Sequence, residues 1–148
     1  KLEENVAEAT LLAVAGLNRL GLTEHIRQAI PLEQMLPAVA QGAIGIECRM
    51  NDEAMRERLD RINDRNTSIC VTCERGFLEA LDGSCSTPLA GHAVLEGNYV
   101  YLRAQVIAPD GSAVESGEIR GPHADAAHLG RELGASLKYR AASFLGAA

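Results

Sequence analysis

Residues 92–120, HAVLEGNYVYLRAQVIAPDGSAVESGEIR, decide the fold of the second half of this 148-residue chain. Apolar and polar residues alternate here in three runs, which is typical of half-buried strands. Turn residues separate the runs at Glu96-Gly-Asn98 and at Pro109-Asp-Gly111. Connections this short predict consecutive antiparallel strands of one sheet. The predicted strands are His92–Glu96, Tyr99–Ile107 and Ala113–Arg120.

Helical patterns flank these strands on both sides. Upstream, a helix is predicted to begin at Asn66 or Thr67, with Ile69, Cys73 and Phe77 on one face. Downstream, a helix is predicted from Pro122, and its apolar residues recur at helical spacing. They are Ala126, Leu129, Leu133, Leu137, Ala141 and Phe144. The chain from about residue 62 to its end therefore predicts an α+β unit in which helices cover one face of a three-stranded sheet.

The first part of the chain has the pattern of an α/β sheet. Unbroken apolar sequence predicts a strand at Thr10–Ala15, buried on both faces, followed by a short helical piece at Leu17–Leu20. Gly21 and Thr23 predict a stop and a new helix start, with Glu24–Ile30 helical until Pro31. A second strand is predicted at Ile44–Arg49, and Asn51 is predicted to cap a helix with Met55, Leu59 and Ile62 on its apolar face.

Composition excludes some classes of protein. The net charge is −6, whereas a nucleic-acid binder normally presents a basic stripe. No apolar run approaches the roughly 20 residues of a membrane-spanning helix. Only Lys1 and Lys138 are lysines, so twelve of the 14 cations are arginines. Arginine grips carboxylates and phosphates with a planar fork, although solvation of the surface explains the same composition. Because the chain begins at Lys1, we expect it to be the interior of a larger protein.

The four cysteines are Cys48, Cys70, Cys73 and Cys85. Cys70 and Cys73 form a C-x-x-C inside a helical pattern, which indicates packed thiols rather than a redox motif. Cys85 lies in the loop DGSCSTPLAG, residues 82–91, among small residues that would leave its sulfur accessible. From the residues alone, Cys85 is either a functional thiol or a buried structural one.

Four segments resemble the porphobilinogen deaminase (hydroxymethylbilane synthase) family, in the family's order and spacing. They are LLAVAGLNRLGL at 11–22, LPAVAQGAIGIECR at 36–49, VTCERGFLEALDGSCSTPLAGHA at 71–93 and YLRAQVIAPDGS at 101–112. The resemblance covers the chain and aligns it with the C-terminal half of the family. It implies that residues 1–42 are the later part of domain 2, that 43–61 return to domain 1, and that 62–148 form domain 3. The N-terminal part would then be an α/β fragment of a cleft between two domains like those of periplasmic binding proteins.

The resemblance also implies a site. Cys85 is expected to carry a dipyrromethane cofactor through a thioether bond. Arg19 and Arg75 match arginines near the cofactor or the growing chain, and Arg49 is a weaker match. Ala13 and Gly16 match positions whose backbone N–H groups face carboxylates, and Gln41-Gly42 matches a pair that lines the cleft. The sequence departs from the family at Ala40, where glycine is usual, and at Cys73, where alanine is common.

The implied activity is a transferase of haem and tetrapyrrole biosynthesis. It joins four porphobilinogen molecules head to tail, with loss of ammonia, to give hydroxymethylbilane. The family's catalytic aspartate is expected in an N-terminal half that this chain lacks, so residues 1–148 alone are expected to be inactive. The resemblance further implies a cytoplasmic monomer that needs no metal, nucleic acid or membrane.

Two other hypotheses remain at this stage. In one, the α+β unit is a non-catalytic regulatory module with Cys85 as a redox sensor. In the other, Cys70, Cys73 and Cys85 hold a structural zinc ion, although the four histidines lack zinc-site spacing. The intact mass of the protein distinguishes the first hypothesis from a covalent cofactor, and metal analysis tests the second.

Overall fold

The computed structural model describes residues 2, 4, 6–82 and 88–145. The chain divides into two compact units, Lys1–Met35 and Leu36–Ala148. The α-helices are α1 (Val14–Leu20), α2 (Glu53–Asp60), α3 (Arg65–Ala80), α4 (Ala126–Arg140) and α5 (Ala142–Leu145). The strands are β1 (Leu89–Glu96), β2 (Tyr99–Ile107) and β3 (Val114–Pro122).

The three strands form one antiparallel sheet in the order β1-β2-β3. The register places Ala93 opposite Leu102 and Leu102 opposite Ile119. Both connections are tight turns that contain a glycine with positive φ, at Gly97 (61°) and at Gly111 (75°). The prediction of three consecutive antiparallel strands is confirmed, although the first strand begins three residues earlier than predicted and the last begins one residue later and ends two residues later.

Helices α3 and α4 cover one face of this sheet and enclose the core of the second unit. In β2 every second residue is buried from Val100 onwards, as period-two alternation requires. The face of α3 predicted from spacing is also found, since Cys73 and Phe77 are fully buried and Ile69 packs against them. The buried hydrophobic cluster consists of Cys73, Phe77, Leu81, Ala93, Val100, Leu102, Ala104, Val106, Ala126, Leu129, Leu133, Leu137 and Ala141.

Glycines allow close packing around α4. A Cβ atom on Gly76 of α3 would overlap the carbonyl oxygen of Ala127, so the two helix backbones nearly touch there. On the sheet side, a Cβ on Gly117 would lie 2.9 Å from Leu133, and one on Gly121 would lie 2.7 Å from Leu129. The α+β architecture therefore depends on residues without side chains at the crossing of the layers.

The prediction of a strand at Thr10–Ala15 is wrong. Helix α1 begins at Val14, and the preceding residues Leu11 and Leu12 are 68% and 63% exposed. A strand buried on both faces needs neighbours on both edges, and no described residue of Lys1–Met35 pairs with this segment. The predicted stop at Gly21 is confirmed, because its φ of 70° ends α1 in the left-handed conformation.

Two further elements differ from their predictions. The helix expected at Glu24–Ile30 is reduced to one 3₁₀ turn, Thr23–His25, because Pro31 disfavours helical geometry at Ile30 and a segment this short lacks packing to hold it. The strand expected at Ile44–Arg49 does not form, and Ile44 is 93% exposed without a partner strand among the described residues.

Helix α2 forms close to its predicted position, with a shifted cap. Asp52, rather than Asn51, caps the helix by accepting a hydrogen bond from the backbone N–H of Met55 at 3.0 Å. Of its predicted apolar face, Leu59 is half-buried, whereas Met55 and Ile62 are exposed.

Candidate functional site

A pocket of about 670 Å³ lies within the second unit, beside the N-terminal half of α3. Three segments line it: the turn before residue 47, the end of α2 with the loop that follows, and one face of α3. The lining residues are Ala40, Gly42, Ala43, Ile44, Gly45, Ile46, Leu59, Asp60, Ile62, Asn63, Asp64, Thr67, Ser68, Val71 and Arg75. Two predicted site residues, Gly42 and Arg75, therefore share one pocket although they are distant in sequence.

Arg75 supplies the cation of this pocket. Its neighbours Glu74 and Gly76 are buried against the core, which fixes the helix beneath it, while Arg75 itself is exposed. The part of the chain that the structure describes offers it no ion-pair partner, in contrast to Arg131 and Arg140. An exposed guanidinium on a rigid helix that faces a pocket is suited to holding a carboxylate.

The turn at residues 38–42 contributes Ala40 and Gly42 to the lining of the pocket. The backbone N–H of Gln41 donates to the carbonyl of Ala38 at 3.1 Å, and Gln41 is exposed. Gly42 has a φ of 85°, a conformation that glycine adopts without strain. Ala40 has a φ of 57°, which is uncommon for a residue with a Cβ. The positive φ explains physically why glycine would suit this position.

Two carboxylates, those of Asp60 and Asp64, also line the pocket. Asp64 caps α3 by accepting a 2.7 Å hydrogen bond from the backbone N–H of Thr67, and this bond lowers the pKa of Asp64 below its ordinary value. Its charge is therefore engaged at the helix N-terminus, where a negative group is favourable. Asp60 lines the same pocket, so Arg75 is the lining residue that is suited to an anionic ligand.

Sequence analysis missed Glu74, which is the buried charged residue of the described core at 6% exposure. Its carboxylate accepts backbone hydrogen bonds from Ala40 at 2.6 Å and from Ala93 at 2.8 Å. A signal existed in the sequence, because Glu74 follows Cys70 by four residues and so lies on the predicted apolar side of α3. A carboxylate at such a position needs internal donors.

The other predicted site residues that the structure describes do not line this pocket. In the first unit, Ala13 is the N-cap residue of α1, and the N–H of Gly16 donates to the carbonyl of Ala13 at 3.0 Å. Arg19 lies in the last turn of α1, exposed and without an ion-pair partner among the residues described. In the second unit, Arg49 is exposed and does not line the pocket. Cys85 lies outside the described residues.

The helical cysteines are packed thiols, as predicted from the C-x-x-C spacing. Burial raises the pKa of Cys73 to about 12, with the nearby Glu74 carboxylate adding to the effect. Burial also raises the pKa of Cys70, which is half-buried. Thiols that remain protonated at neutral pH are poor nucleophiles and poor metal ligands. Cys48 is exposed.

The described residues contain neither a metal-binding cluster nor a membrane-spanning helix. Within residues 6–82 and 88–145, no cluster of three or more His, Cys, Asp or Glu side chains is arranged to hold a metal ion. No helix in the same part of the chain has the length and hydropathy needed to cross a membrane.

Two family models match consecutive parts of the chain. Residues 1–57 match "Porphobilinogen deaminase, dipyromethane cofactor binding domain", and residues 68–139 match "Porphobilinogen deaminase, C-terminal domain". The curated porphobilinogen deaminase of Paracoccus denitrificans (strain Pd 1222) is 50% identical over 141 residues, which cover 95% of this chain and 45% of that protein. The chain thus spans less than half the length of this relative. By these matches, and with the α+β unit in the place where the C-terminal model falls, the chain belongs to the porphobilinogen deaminase family.

Proposed function

We propose that the whole protein is a hydroxymethylbilane synthase, a transferase that condenses four porphobilinogen molecules head to tail with loss of ammonia. The observation that carries this proposal is that both family models match in order along one chain, with 50% identity to a curated relative across both. The family match does not favour the alternative of a non-catalytic redox-sensing module. The catalytic aspartate would then lie in the part of the protein that this chain does not cover.

The domain boundaries belong to the same proposal. Residues 1–42 would complete domain 2, residues 43–61 would return to domain 1, and residues 62–148 would form domain 3. The first two segments would add to a cleft like that of periplasmic binding proteins. This arrangement offers a physical reason for the exposed apolar residues of the first 61 positions, such as Leu11, Leu12 and Ile44. Their partners would be supplied by the rest of the protein.

Two exposed arginines, Arg75 and Arg19, are suited to a ligand rich in carboxylates. Each porphobilinogen unit carries an acetate and a propionate, and the dipyrromethane cofactor, when bound, supplies the end to which new units are joined. Arg75 would hold a carboxylate by a bidentate hydrogen bond, and Arg19 would do the same from α1. Gln41 and Gly42 would border the ligand, with Gly42 permitting close approach of the backbone. Ala13 and Gly16 would contact the ligand through their backbones.

Cys85 would be the anchor of the cofactor. The other three cysteines are less suited to the role, since Cys70 and Cys73 pack within α3 and Cys48 lies outside the matched loop motif. In the sequence, Cys85 follows Asp82 by three residues and precedes β1 by four. Asp82 itself follows the C-terminal end of α3. The proposal includes a cytoplasmic, monomeric protein and no role for metal, nucleic acid or membrane.

Intact mass and peptide mapping of the full-length protein test this function. We expect an adduct with the mass of a dipyrromethane on the Cys85 peptide and the formation of hydroxymethylbilane from porphobilinogen. The variant Cys85→Ser should lose both the adduct and the product, whereas the matched variant Cys48→Ser should keep both. An adduct on Cys48, Cys70 or Cys73, or a wild-type protein that forms no product, would contradict the proposal.

A further inference from the structure

A single buried carboxylate connects three parts of the second unit. Glu74 Oε2 accepts a hydrogen bond from the N–H of Ala40 in the turn before the pocket, at 2.6 Å. Glu74 Oε1 accepts a second bond from the N–H of Ala93 in β1, at 2.8 Å. Because Glu74 is only 6% exposed, these bonds are shielded from water and are stronger than comparable bonds at the surface.

The same contact covers the free edge of the sheet. Among the described strands β1 pairs only with β2, so its other edge presents N–H groups that need acceptors. Ala93 finds one in Glu74, and Gly91 donates to the carbonyl of Pro37 at 2.9 Å. A Cβ on Gly91 would lie 3.3 Å from Val39, so the segment packs closely against the strand. Residues 37–40 thus cover this edge, and Glu74 joins them to it.

The bond between Glu74 and Ala40 matters because Glu74 lies next to Arg75 on α3. Glu74 precedes Arg75, which lines the pocket, and the turn that Glu74 contacts contributes Ala40 and Gly42 to the same lining. The bond between Glu74 and Ala40 therefore ties together two of the segments that line the pocket. The same bond holds Ala40 at its φ of 57°, a left-handed conformation that a residue with a Cβ does not favour.

We infer that Glu74 is a positioning residue for the carboxylate-binding pocket, acting through the backbone N–H groups of Ala40 and Ala93. The identity of the ligand in this inference rests on the proposed function. The two hydrogen bonds accepted by Glu74, here called the clamp, are contacts of the described residues. Glu74 does not touch the ligand in this scheme. It fixes the turn that carries Gln41 and Gly42 against the helix that carries Arg75, and it fixes both against the strand that follows the Cys85 loop.

Amide hydrogen exchange in the full-length protein tests the clamp. In the wild type, the amides of Ala40, Gly91 and Ala93 should be protected although none of them donates to a neighbouring strand. In Glu74→Gln, exchange at Ala40 and Ala93 should be on the order of ten- to one-hundredfold faster, because the charged acceptor is lost. Core amides such as Leu102 should be unaffected. Unprotected amides at Ala40 and Ala93 in the wild type would overturn the inference.

The matched control is Glu79→Gln on the same helix. Glu79 is exposed and pairs with Arg131 at 3.2 Å, so its loss should leave the three amides protected. If Glu74→Gln does not fold, Glu74→Asp keeps the charge but shortens the side chain, and it should release one of the two amides. Equal acceleration at Leu102 and Ala40 in both Glu74 variants would show general destabilisation and refute the clamp.

An activity measurement separates this inference from the proposed function. Glu74→Gln should raise the KM for porphobilinogen about tenfold or more, while the mass of the adduct on Cys85 stays unchanged. An unchanged KM with accelerated exchange at Ala40 would refute the positioning role. A wild-type protein that forms no hydroxymethylbilane would refute the proposed function, and the exchange results would still decide the clamp.

Discussion

Gly130 of α4 lies directly against the backbone of α3 at Cys73. A Cβ atom on Gly130 would overlap the carbonyl oxygen of Cys73 and would lie 2.8 Å from the backbone nitrogen of Phe77. Gly134, one turn later, is similarly placed, with Phe77 O at 2.8 Å from its ideal Cβ. The two helices that cover the sheet therefore meet backbone to backbone, and their spacing is set by the absence of side chains.

We predict that Gly130→Ala destabilises the second unit by about 2 kcal/mol or more. The added methyl group must push α4 away from α3. The free-energy cost of this movement exceeds the gain in helix propensity from glycine to alanine. Chemical denaturation followed by circular dichroism measures the change. Gly45→Ala is the matched control, because no heavy atom lies within 4 Å of its ideal Cβ, and its effect should stay within about 0.5 kcal/mol. Equal stability of the two variants would contradict the packing described.

The turn at Ala40 offers a stabilising substitution. Ala40→Gly should raise the free energy of unfolding by up to about 1 kcal/mol, because glycine removes the cost of a positive φ while costing some unfolded-state entropy. Gly42→Ala should act in the opposite direction, since its φ is 85°. Denaturation midpoints of the two variants check the pair. A loss of stability in Ala40→Gly would show that the left-handed turn is not maintained in solution.

Arg75→Leu in the full-length protein should impair chain assembly more than folding. A lost charge-assisted hydrogen bond costs about 1.5–3 kcal/mol, which corresponds to roughly a ten- to 150-fold drop in kcat/KM. Arg75→Lys should rescue only part of it, because lysine lacks the fork. We expect the same pattern for Arg19→Leu and Arg19→Lys. Arg131→Leu is the control, since Arg131 pairs with Glu79 on the surface. Unchanged turnover and unchanged enzyme-bound intermediates would remove Arg75 and Arg19 from the site.

The buried thiol of Cys73 should make stability depend on alkaline pH. Burial raises its pKa from the ordinary 9.0 to about 12, so the folded chain keeps the proton that the unfolded chain releases. This contribution is complete below pH 9 and is lost as the pH rises towards 12, at up to about 1.4 kcal/mol per pH unit.

Cys73→Ser and Cys73→Ala both remove this titration. The stability difference between the wild type and either variant should shrink as the pH is raised above 9, whatever each variant costs at neutral pH. Urea denaturation at pH 7, 9 and 10 measures the trend. A difference that stays constant over this range would show that Cys73 is not shielded as the structure describes.

The parts of the fold that were predictable are those whose partners lie nearby in the sequence. The alternation at Tyr99–Ile107 and the spacing of Cys73 and Phe77 each report a face that is buried within the second unit. The strand predicted at Thr10–Ala15 failed for the opposite reason, because its pattern requires neighbours on both edges and none is among the described residues. The periodicity of a segment predicts which of its residues would be buried against a partner. When that partner is not among the described residues, the same residues stay exposed.

The site was predictable only in part, for a related reason. Gly42 and Arg75 were named from the resemblance, and the structure places them in one pocket. Glu74 was missed because its importance depends on two backbone donors, 34 and 19 residues away, that no side-chain pattern reveals. A charged residue on a predicted apolar face indicates such a role, but it does not identify the partners.

The last prediction concerns residues 1–148 as an isolated polypeptide. No described residue between 6 and 35 is buried, whereas the buried hydrophobic residues of the described chain all lie between Cys73 and Ala141. Amide exchange measured by mass spectrometry should therefore be fast before about residue 61, except at Ala40, whose N–H donates to Glu74, and slow across α3, the three strands and α4. Exposed apolar residues such as Leu11 and Ile44 should also promote association.

The polypeptide should form no hydroxymethylbilane from porphobilinogen, because the proposed catalytic aspartate is not among its residues. The full-length protein, assayed in parallel, is the control for activity and should show protection in both parts. Uniform protection across residues 6–145 in a monodisperse monomer would contradict the unequal stability of the two parts. Measurable turnover by the isolated polypeptide would place the catalytic acid within residues 1–148, where Asp60 and Asp64 of the pocket would become the first candidates.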